Sequence, residues 1–166
     1  MSEYSYRRLS FKSFYKNAVF NGYLRIIKRH VNQKNVSIID FGASNGNFLL
    51  AASKKRWISS VGGFEIDQNL IEEAPSALRE FIKQGDLSKP MPRYTSNMTY
   101  DVAVSFHVIE HVVDGDVFIQ NITNFVRKGG LVMLATPNLT GLGARMEKAL
   151  WMGYKHDHIN LYSYDE

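Results

Sequence analysis

A chain of 166 residues with 45% hydrophobic and 22% charged residues is long enough for one domain with its own core, and its composition is neither that of a disordered chain nor that of collagen. The absence of cysteine excludes disulfide scaffolds, thiolate nucleophiles and Cys-ligated zinc, and no uncharged apolar run approaches the roughly 18 residues of a spanning helix, so a soluble cytoplasmic protein is expected. The net charge of +4 is uneven: residues 1–34 carry eight Lys or Arg against Glu3, and the remainder carries twelve against fifteen Asp or Glu.

Residues 11–31 place Phe14, Tyr15, Ala18, Val19, Tyr23, Leu24, Ile26, Ile27 and Val31 at spacings of mostly three and four, with Lys12, Lys16, Arg25, Lys28 and Arg29 largely between them. That pattern predicts an amphipathic helix with a basic outer face. The basic arm suits an anionic partner, whether nucleic acid, phospholipid or a charged metabolite, although solvated helix charge is the simpler explanation. Its interleaved aromatics could stack single-stranded RNA, but packing of the helix onto a sheet is the expectation, so nucleic acid is not favoured as a partner.

The run Val36-Ser37-Ile38-Ile39-Asp40-Phe41 is short, β-branched and followed by glycine, as a buried parallel strand would be. A helix from Asn47 to about Lys55 follows. The alternation continues with a strand at Ser60–Glu65, a helix at Gln68–Ala74 capped by Asp67, and strands at Phe81–Gln84 and Tyr100–Phe106. A helix at Gly115–Arg127 and a strand at Gly130–Thr136 complete it, the strand ended by Pro137. Alternating strands and helices predict right-handed crossovers and therefore an α/β, Rossmann-like doubly wound sheet of five parallel strands. A further helix is expected around Leu142–Trp151, and Ser163-Tyr164-Asp165-Glu166 has the pattern of a helix start.

In such a sheet the ligand sits beyond the carboxyl ends of the strands. The first of these turns is Asp40-Phe41-Gly42-Ala43-Ser44-Asn45-Gly46-Asn47. A dinucleotide fingerprint fails there, because Ser44 and Asn47 occupy two of its three glycine positions. Gly-x-Ser-x-Gly would make Ser44 a hydrolase nucleophile, with Asp101, Asp114, His156 or His158 as partners, but the first strand is an unusual place for it.

A third reading explains more residues. Asp40-x-Gly42-x-x-x-Gly46 resembles the first motif of class I S-adenosylmethionine-dependent methyltransferases, with Ser44 in place of the middle glycine. Further segments fall at the ends of the later strands: Phe64-Glu65-Ile66-Asp67, with its acid 19 residues after Gly46; Gly85-Asp86-Leu87; Ser105-Phe106-His107-Val108-Ile109-Glu110-His111; Arg127-Lys128-Gly129-Gly130; Ala135-Thr136-Pro137-Asn138; and His158-Ile159-Asn160-Leu161-Tyr162. Together they are similar to the branch that contains the ubiquinone-biosynthesis O-methyltransferases.

The resemblance implies S-adenosyl-L-methionine as cofactor, held by Asp40, Gly42, Ala43, Ser44, Gly46, Glu65, Ile66, Asp86, Leu87 and Phe106. Asp40 would face the methionyl amine, Glu65 the ribose hydroxyls, Asp86 the adenine amino group, and Ile66 and Leu87 would clamp the ring. The acceptor would be a small molecule methylated at O, N or C. His107 and His111 are the candidate bases, histidine being the side chain that exchanges protons near neutral pH, with His156 and His158 in reserve. On a helix, His107, Glu110 and His111 would share one face and could hold a divalent cation, and the resemblance to the small-RNA 2′-O-methyltransferases adds a further histidine comparable to His158. Glu-His at this position also occurs in relatives without a metal, so none is expected. The alternatives are a metal-assisted RNA 2′-O-methyltransferase, an idle cofactor-binding module and a hydrolase using Ser44.

The organisation implied is a basic cap helix over 1–34, a cofactor-binding core over 35–138 and a C-terminal helix with an acceptor-side segment over 139–166. The family's sheet has seven strands and this sequence offers five. The expectation is therefore a fragment or shortened form with an apolar edge at the fifth strand, able to recruit a second copy, and with reduced catalysis.

Overall fold

Val36–Phe41 (β1) is apolar at nearly every position because it is covered on both sides. Val36 and Ile38 enter one core cluster, and Ile39 and Phe41 enter the other. The computed structural model describes residues 3–91, 99–147, 151 and 153–163, with the side chains of the first helix described from Asn17 onward. Around β1 lie Ile58–Glu65 (β2), Ile82–Gln84 (β3), Tyr100–Phe106 (β4) and Val126–Ala135 (β5), all parallel, in the order β3-β2-β1-β4-β5. This is the five-stranded parallel arrangement that the alternation predicts.

One face is covered by helix α1 (Glu3–His30), α2 (Asn47–Ser53), α3 (Gln68–Glu73) and α4 (Ser76–Arg79). α1 begins before the expected residue 11. It buries Leu24 and Ile27 against the sheet, as does Val31 just after it, and leaves Arg25, Lys28 and Arg29 in solvent, so over its described side chains it is a cover with a basic outer face. The aromatics before Asn17 lie outside the described side chains; Phe20 and Tyr23 point inward onto Phe48 and Phe106. Helix α5 (Gly115–Asn124) covers the other face with Phe118 and Ile122, and α6 (Leu142–Glu147) follows β5. No helix among the described residues is long and apolar enough to cross a membrane.

Three boundaries differ from expectation for physical reasons. Pro75, with no N–H to donate, closes α3 at Glu73 and opens the unforeseen α4. α5 stops at Asn124 and β5 starts at Val126, four residues early, because Gly129 and Gly130 form a bulge within the strand rather than a turn before it. The pairing jumps from Tyr100 opposite Val126 to Val102 opposite Leu131. Gly129 has φ 73°, and a Cβ on Gly130 would collide with the Asp101 carbonyl and with Val126. The helix expected to reach Trp151 is described only to Glu147; residues 148–150, and 164–166 of the expected helix start, lie outside the described residues. Among the described strands β5 pairs with β4 alone, and it exposes Val132 and Leu134.

Candidate active site

The turn after β1 is held open by three left-handed residues, Gly42 (φ 88°), Ser44 (φ 50°) and Gly46 (φ 73°). A Cβ on Gly42 would run into Val108, so the loop passes hard against the segment after β4. Ser44 occupies a left-handed backbone conformation that favours glycine, the residue that usually stands at this place in the motif it resembles. Gly46 precedes the first residue of α2 in a left-handed conformation and is not among the residues lining the two clefts over the loop.

Two adjoining clefts open over this loop. One, about 360 Å³, is lined by Gly42, Ser44, Glu65, Ile66, Asp86, Leu87, Phe106, His107 and His111 among others. The second, about 290 Å³, is lined by Val19, Phe20, Asp40, Gly42, Ala43, Ser44, Phe106 and His107, again among others. Gly42, Ser44, Phe106 and His107 belong to both. Nine of the ten residues expected to bind a cofactor therefore line one continuous groove across the carboxyl ends of four strands. Leu87 is buried, whereas Ile66 is 60% exposed and forms a rim.

Three carboxylates stand in this groove in different states. Asp40 is only 3% exposed, and its Oδ1 has no hydrogen-bond partner. Burial, and then the charge of Glu65, push it up to about 8. Glu65 is held rigid: Oε2 accepts from Ser44 N at 2.7 Å, and Oε1 accepts from Ile66 N and Asp67 N at 2.8 and 3.0 Å. Asp86 pairs with Lys89 at 2.8 Å and accepts from Ser88 N, and these contacts hold its carboxyl below the ordinary value. Asp67 caps α3 through Asn69 N, as expected.

Phe106 is clamped between Tyr23 of α1, stacked at 4.3 Å, and Phe48 of α2, edge-on at 5.0 Å. Asn121 escaped the sequence reading. Buried on α5, it donates to Leu87 O and Lys89 O at 3.1 and 2.9 Å and accepts from Met91 N at 2.8 Å, so one side chain positions the segment after β3. A lone amide inside an amphipathic helix carries no sequence signal of that role.

The histidine cluster differs from expectation. His107 has φ 58° and stands outside the short 3-10 turn Ile109–His111, so His107, Glu110 and His111 do not share a helical face. His107 N donates to Ala135 O at 2.7 Å, leaving the ring 61% exposed with Nδ1 3.3 Å from Glu110 Oε1. Glu110 is fully buried; Oε2 accepts from Thr136 Oγ1 at 2.9 Å, while Oε1 lacks a well-formed hydrogen bond. Burial acts to raise this carboxyl, and His107, a backbone N–H and Thr136 together more than offset it, bringing it below its ordinary value.

The groups that converge are instead Glu110, His111 and His158, with ligand-type atoms within 4.8 Å of one another. The C-terminal segment is strapped onto Glu110 through Ile159 N and Asn160 N, both donating to its carbonyl. His111 Nδ1 and His158 Nδ1 lie 2.8 and 2.7 Å from the carbonyls of Asp157 and Gly153, so both must donate there, and each ring keeps Nε2 for other chemistry. A third cleft, about 330 Å³, lies here between His107, Trp151, Lys155 and His158. His107 borders all three.

The hydrolase constellation does not assemble. Asp101 lies at the opposite end of the sheet, bound to Ser37, Gln33 and Arg127, and Asp114 is spent on the N-terminus of α5.

A parallel sheet with a glycine-containing first loop, acids at successive strand ends and a groove between them defines a nucleotide-cofactor-binding domain. The chain matches the model of the methyltransferase domain family over residues 11–166 and belongs to that family. It is 30% identical over 129 residues to the ubiquinone biosynthesis O-methyltransferase of Rickettsia canadensis (strain McKiel), covering 76% of this chain and 51% of that protein. Against the protein of the same name from Pelagibacter ubique (strain HTCC1062) it is 29% identical over 108 residues, 64% of this chain and 44% of that one. It thus spans about half the length of the curated relatives it matches. Among solved structures, the magnesium protoporphyrin IX methyltransferase of Synechocystis PCC 6803 with bound SAH shares the fold, with a TM-score of 0.63 and 13% identity over 90% of this chain and 68% of that one.

Proposed function

We propose that this chain is an S-adenosyl-L-methionine-dependent methyltransferase acting on a small molecule. The observation that carries the reading is the groove in which Asp40, Glu65 and Asp86 stand at the ends of consecutive strands over a left-handed loop. The cofactor supplies the activated methyl group when bound. Asp40 would take the methionyl ammonium, Glu65 the ribose hydroxyls, Asp86 with Leu87 and Ile66 the adenine, and Phe106 would close the methionyl side with Ala43. The acceptor would occupy the third cleft, against Trp151. His107, at the junction of all three clefts and backed by the buried Glu110, would take the acceptor's proton, and His111 Nε2 is the second candidate. In this division residues 1–34 cover the groove, 35–138 bind the cofactor and 139–166 build the acceptor side. The enzyme would work in the cytoplasm, and β5, which among the described strands pairs with β4 alone, would be the place where a second copy pairs.

A second reading is favoured by Glu110, His111 and His158. A buried carboxylate whose Oε1 lacks a well-formed hydrogen bond and two imidazoles oriented by carbonyls are a donor set that fits a divalent cation, which would lower the acceptor's pKa in place of a base.

Calorimetric titration with S-adenosylhomocysteine, with and without Mg²⁺, followed by labelled methyl transfer to a panel of phenols and amines, tests both readings. Micromolar binding and transfer indifferent to Mg²⁺ support the first, and transfer only with Mg²⁺ supports the second. Absence of S-adenosylhomocysteine binding from pH 6 to 9 would refute both.

A further inference from the structure

A continuous line of contacts runs along the face at the amino ends of the strands, opposite the clefts. Lys55 Nζ donates to Asn21 Oδ1 at 2.7 Å, and Lys28 Nζ lies 5.2 Å from the centre of the Trp57 ring while donating to Gln33 O at 3.4 Å. Gln33 Nε2 donates to Asp101 Oδ1 at 2.6 Å, and Arg127 Nε reaches the same oxygen at 2.6 Å. The C-terminal half of α1, the α2–β2 turn and the start of β5, remote in sequence, are thereby one surface.

That surface is cationic from every direction. α1 brings Arg25, Lys28 and Arg29, the turn after it Lys34, the α2–β2 turn Lys54, Lys55 and Arg56, and β5 Arg127 and Lys128. Asp101 is the one carboxylate in this line of contacts, and Arg127 is already held against it. Among the described residues Arg25, Arg29, Lys34, Lys54, Arg56 and Lys128 are exposed and have no carboxylate partner. Favourable placement at the C-terminus of α1 explains Lys28 and Arg29. It does not explain why two further segments deliver cations to the same place. The acids Asp40, Glu65, Asp86, Glu110 and Asp114 stand at the carboxyl ends; at the amino ends, besides Asp101, Glu73 closes α3 and Glu80 precedes β3 at the far edge of the sheet, outside this line of contacts.

We propose that this basic face binds the sugar–phosphate backbone of nucleic acid without sequence preference, as a docking surface separate from the methyl-transfer groove and independent of that assignment. Cations fixed on three packed segments suit a polyanion whose charges are themselves regularly spaced. Among the described side chains of these segments base stacking finds no platform, since Phe20 and Tyr23 point inward and Trp57 is covered by Lys28. A membrane fits less well: Ile26 is the one large exposed hydrophobic among the described side chains of α1, where interfacial binding needs an apolar face.

The test is fluorescence anisotropy of the full chain with a labelled oligothymidylate across a range of KCl concentrations. Binding should weaken linearly in log–log form. The combined variant Arg25→Gln, Arg29→Gln, Lys54→Gln, Arg56→Gln should reduce the salt slope by about 3, at about 0.7 per cation lost, and the low-salt affinity by at least about tenfold. A Lys83→Gln, Arg145→Gln control should stay within about twofold, and a thermal unfolding midpoint equal in all three proteins reports an intact fold. If the combined variant fails that check, the turn pair Lys54→Gln, Arg56→Gln is used with half the expected slope change. Salt-independent binding, equal losses in patch and control variants, or tighter binding to phosphatidylglycerol vesicles than to the oligonucleotide would each overturn the proposal.

Discussion

Replacing Asp40 with asparagine sets stability against ligand affinity at one atom. In the unfolded chain the carboxyl titrates at its ordinary value of 3.8, and in the folded protein burial and Glu65 push it up to about 8. A raised folded value means that the stability is fully present below pH 3.8 and is lost progressively as pH rises towards 8, because the unfolded chain releases a proton that the folded chain must keep. At pH 7 the difference amounts to about 4 kcal/mol at most, at about 1.36 kcal/mol per unit of displacement. An asparagine side chain, nearly isosteric and never charged, escapes this cost. Asp40→Asn should therefore stabilise the ligand-free protein by ~2–4 kcal/mol at pH 7 and by almost nothing near pH 4. A bound ammonium would instead hold Asp40 ionised. S-adenosylhomocysteine should accordingly bind with release of a proton at pH 7, gain up to about tenfold in affinity per pH unit from 6 to 8, and lose ~2–3 kcal/mol in the asparagine variant. Urea unfolding at pH 4.5, 7 and 8.5, with calorimetry in buffers of different ionisation enthalpy, measures all of these quantities. A variant less stable than the parent at pH 7, or one that binds the ligand unchanged, would refute the reasoning.

Ser44→Gly should stabilise the protein by about 0.5–1 kcal/mol in thermal or urea unfolding, because φ 50° is left-handed, and should leave S-adenosylhomocysteine affinity equal or better. Loss of an esterase activity or of fluorophosphonate labelling in that variant would revive Ser44 as a nucleophile. Glu65→Ala should weaken S-adenosylhomocysteine by roughly 1–3 kcal/mol in the same titration, since the ribose would lose a charged acceptor that three backbone N–H groups hold in place. Asn121→Ala should cost ~2–3 kcal/mol of stability by leaving two carbonyls and one N–H without their partner. Because those groups shape the segment after Asp86, its S-adenosylhomocysteine affinity should fall while that of adenine-free methionine analogues holds.

The strand ends, the loop glycines and the acids beyond them were legible in the sequence because they are local: a β-branched run, a glycine that must turn and a carboxylate close by lie within one short window. Gly42, Glu65, Asp86 and Phe106 could be placed at one edge as soon as the strands were known to be parallel, since parallel connections bring every carboxyl end to the same side. What depended on tertiary structure involves partners far apart along the chain. His158 reaches Glu110 because the C-terminal segment hydrogen-bonds the Glu110 carbonyl, and His107, Glu110 and His111, which would share a face only on a helix, do not, because His107 takes a left-handed turn to satisfy its N–H at Ala135. The unpaired oxygen of Asp40, the grip of Asn121 on residues 87–91 and the merging of three basic segments into one face all follow from sheet order and helix docking. Periodicity tells a residue which way it faces, and only packing decides what stands opposite it.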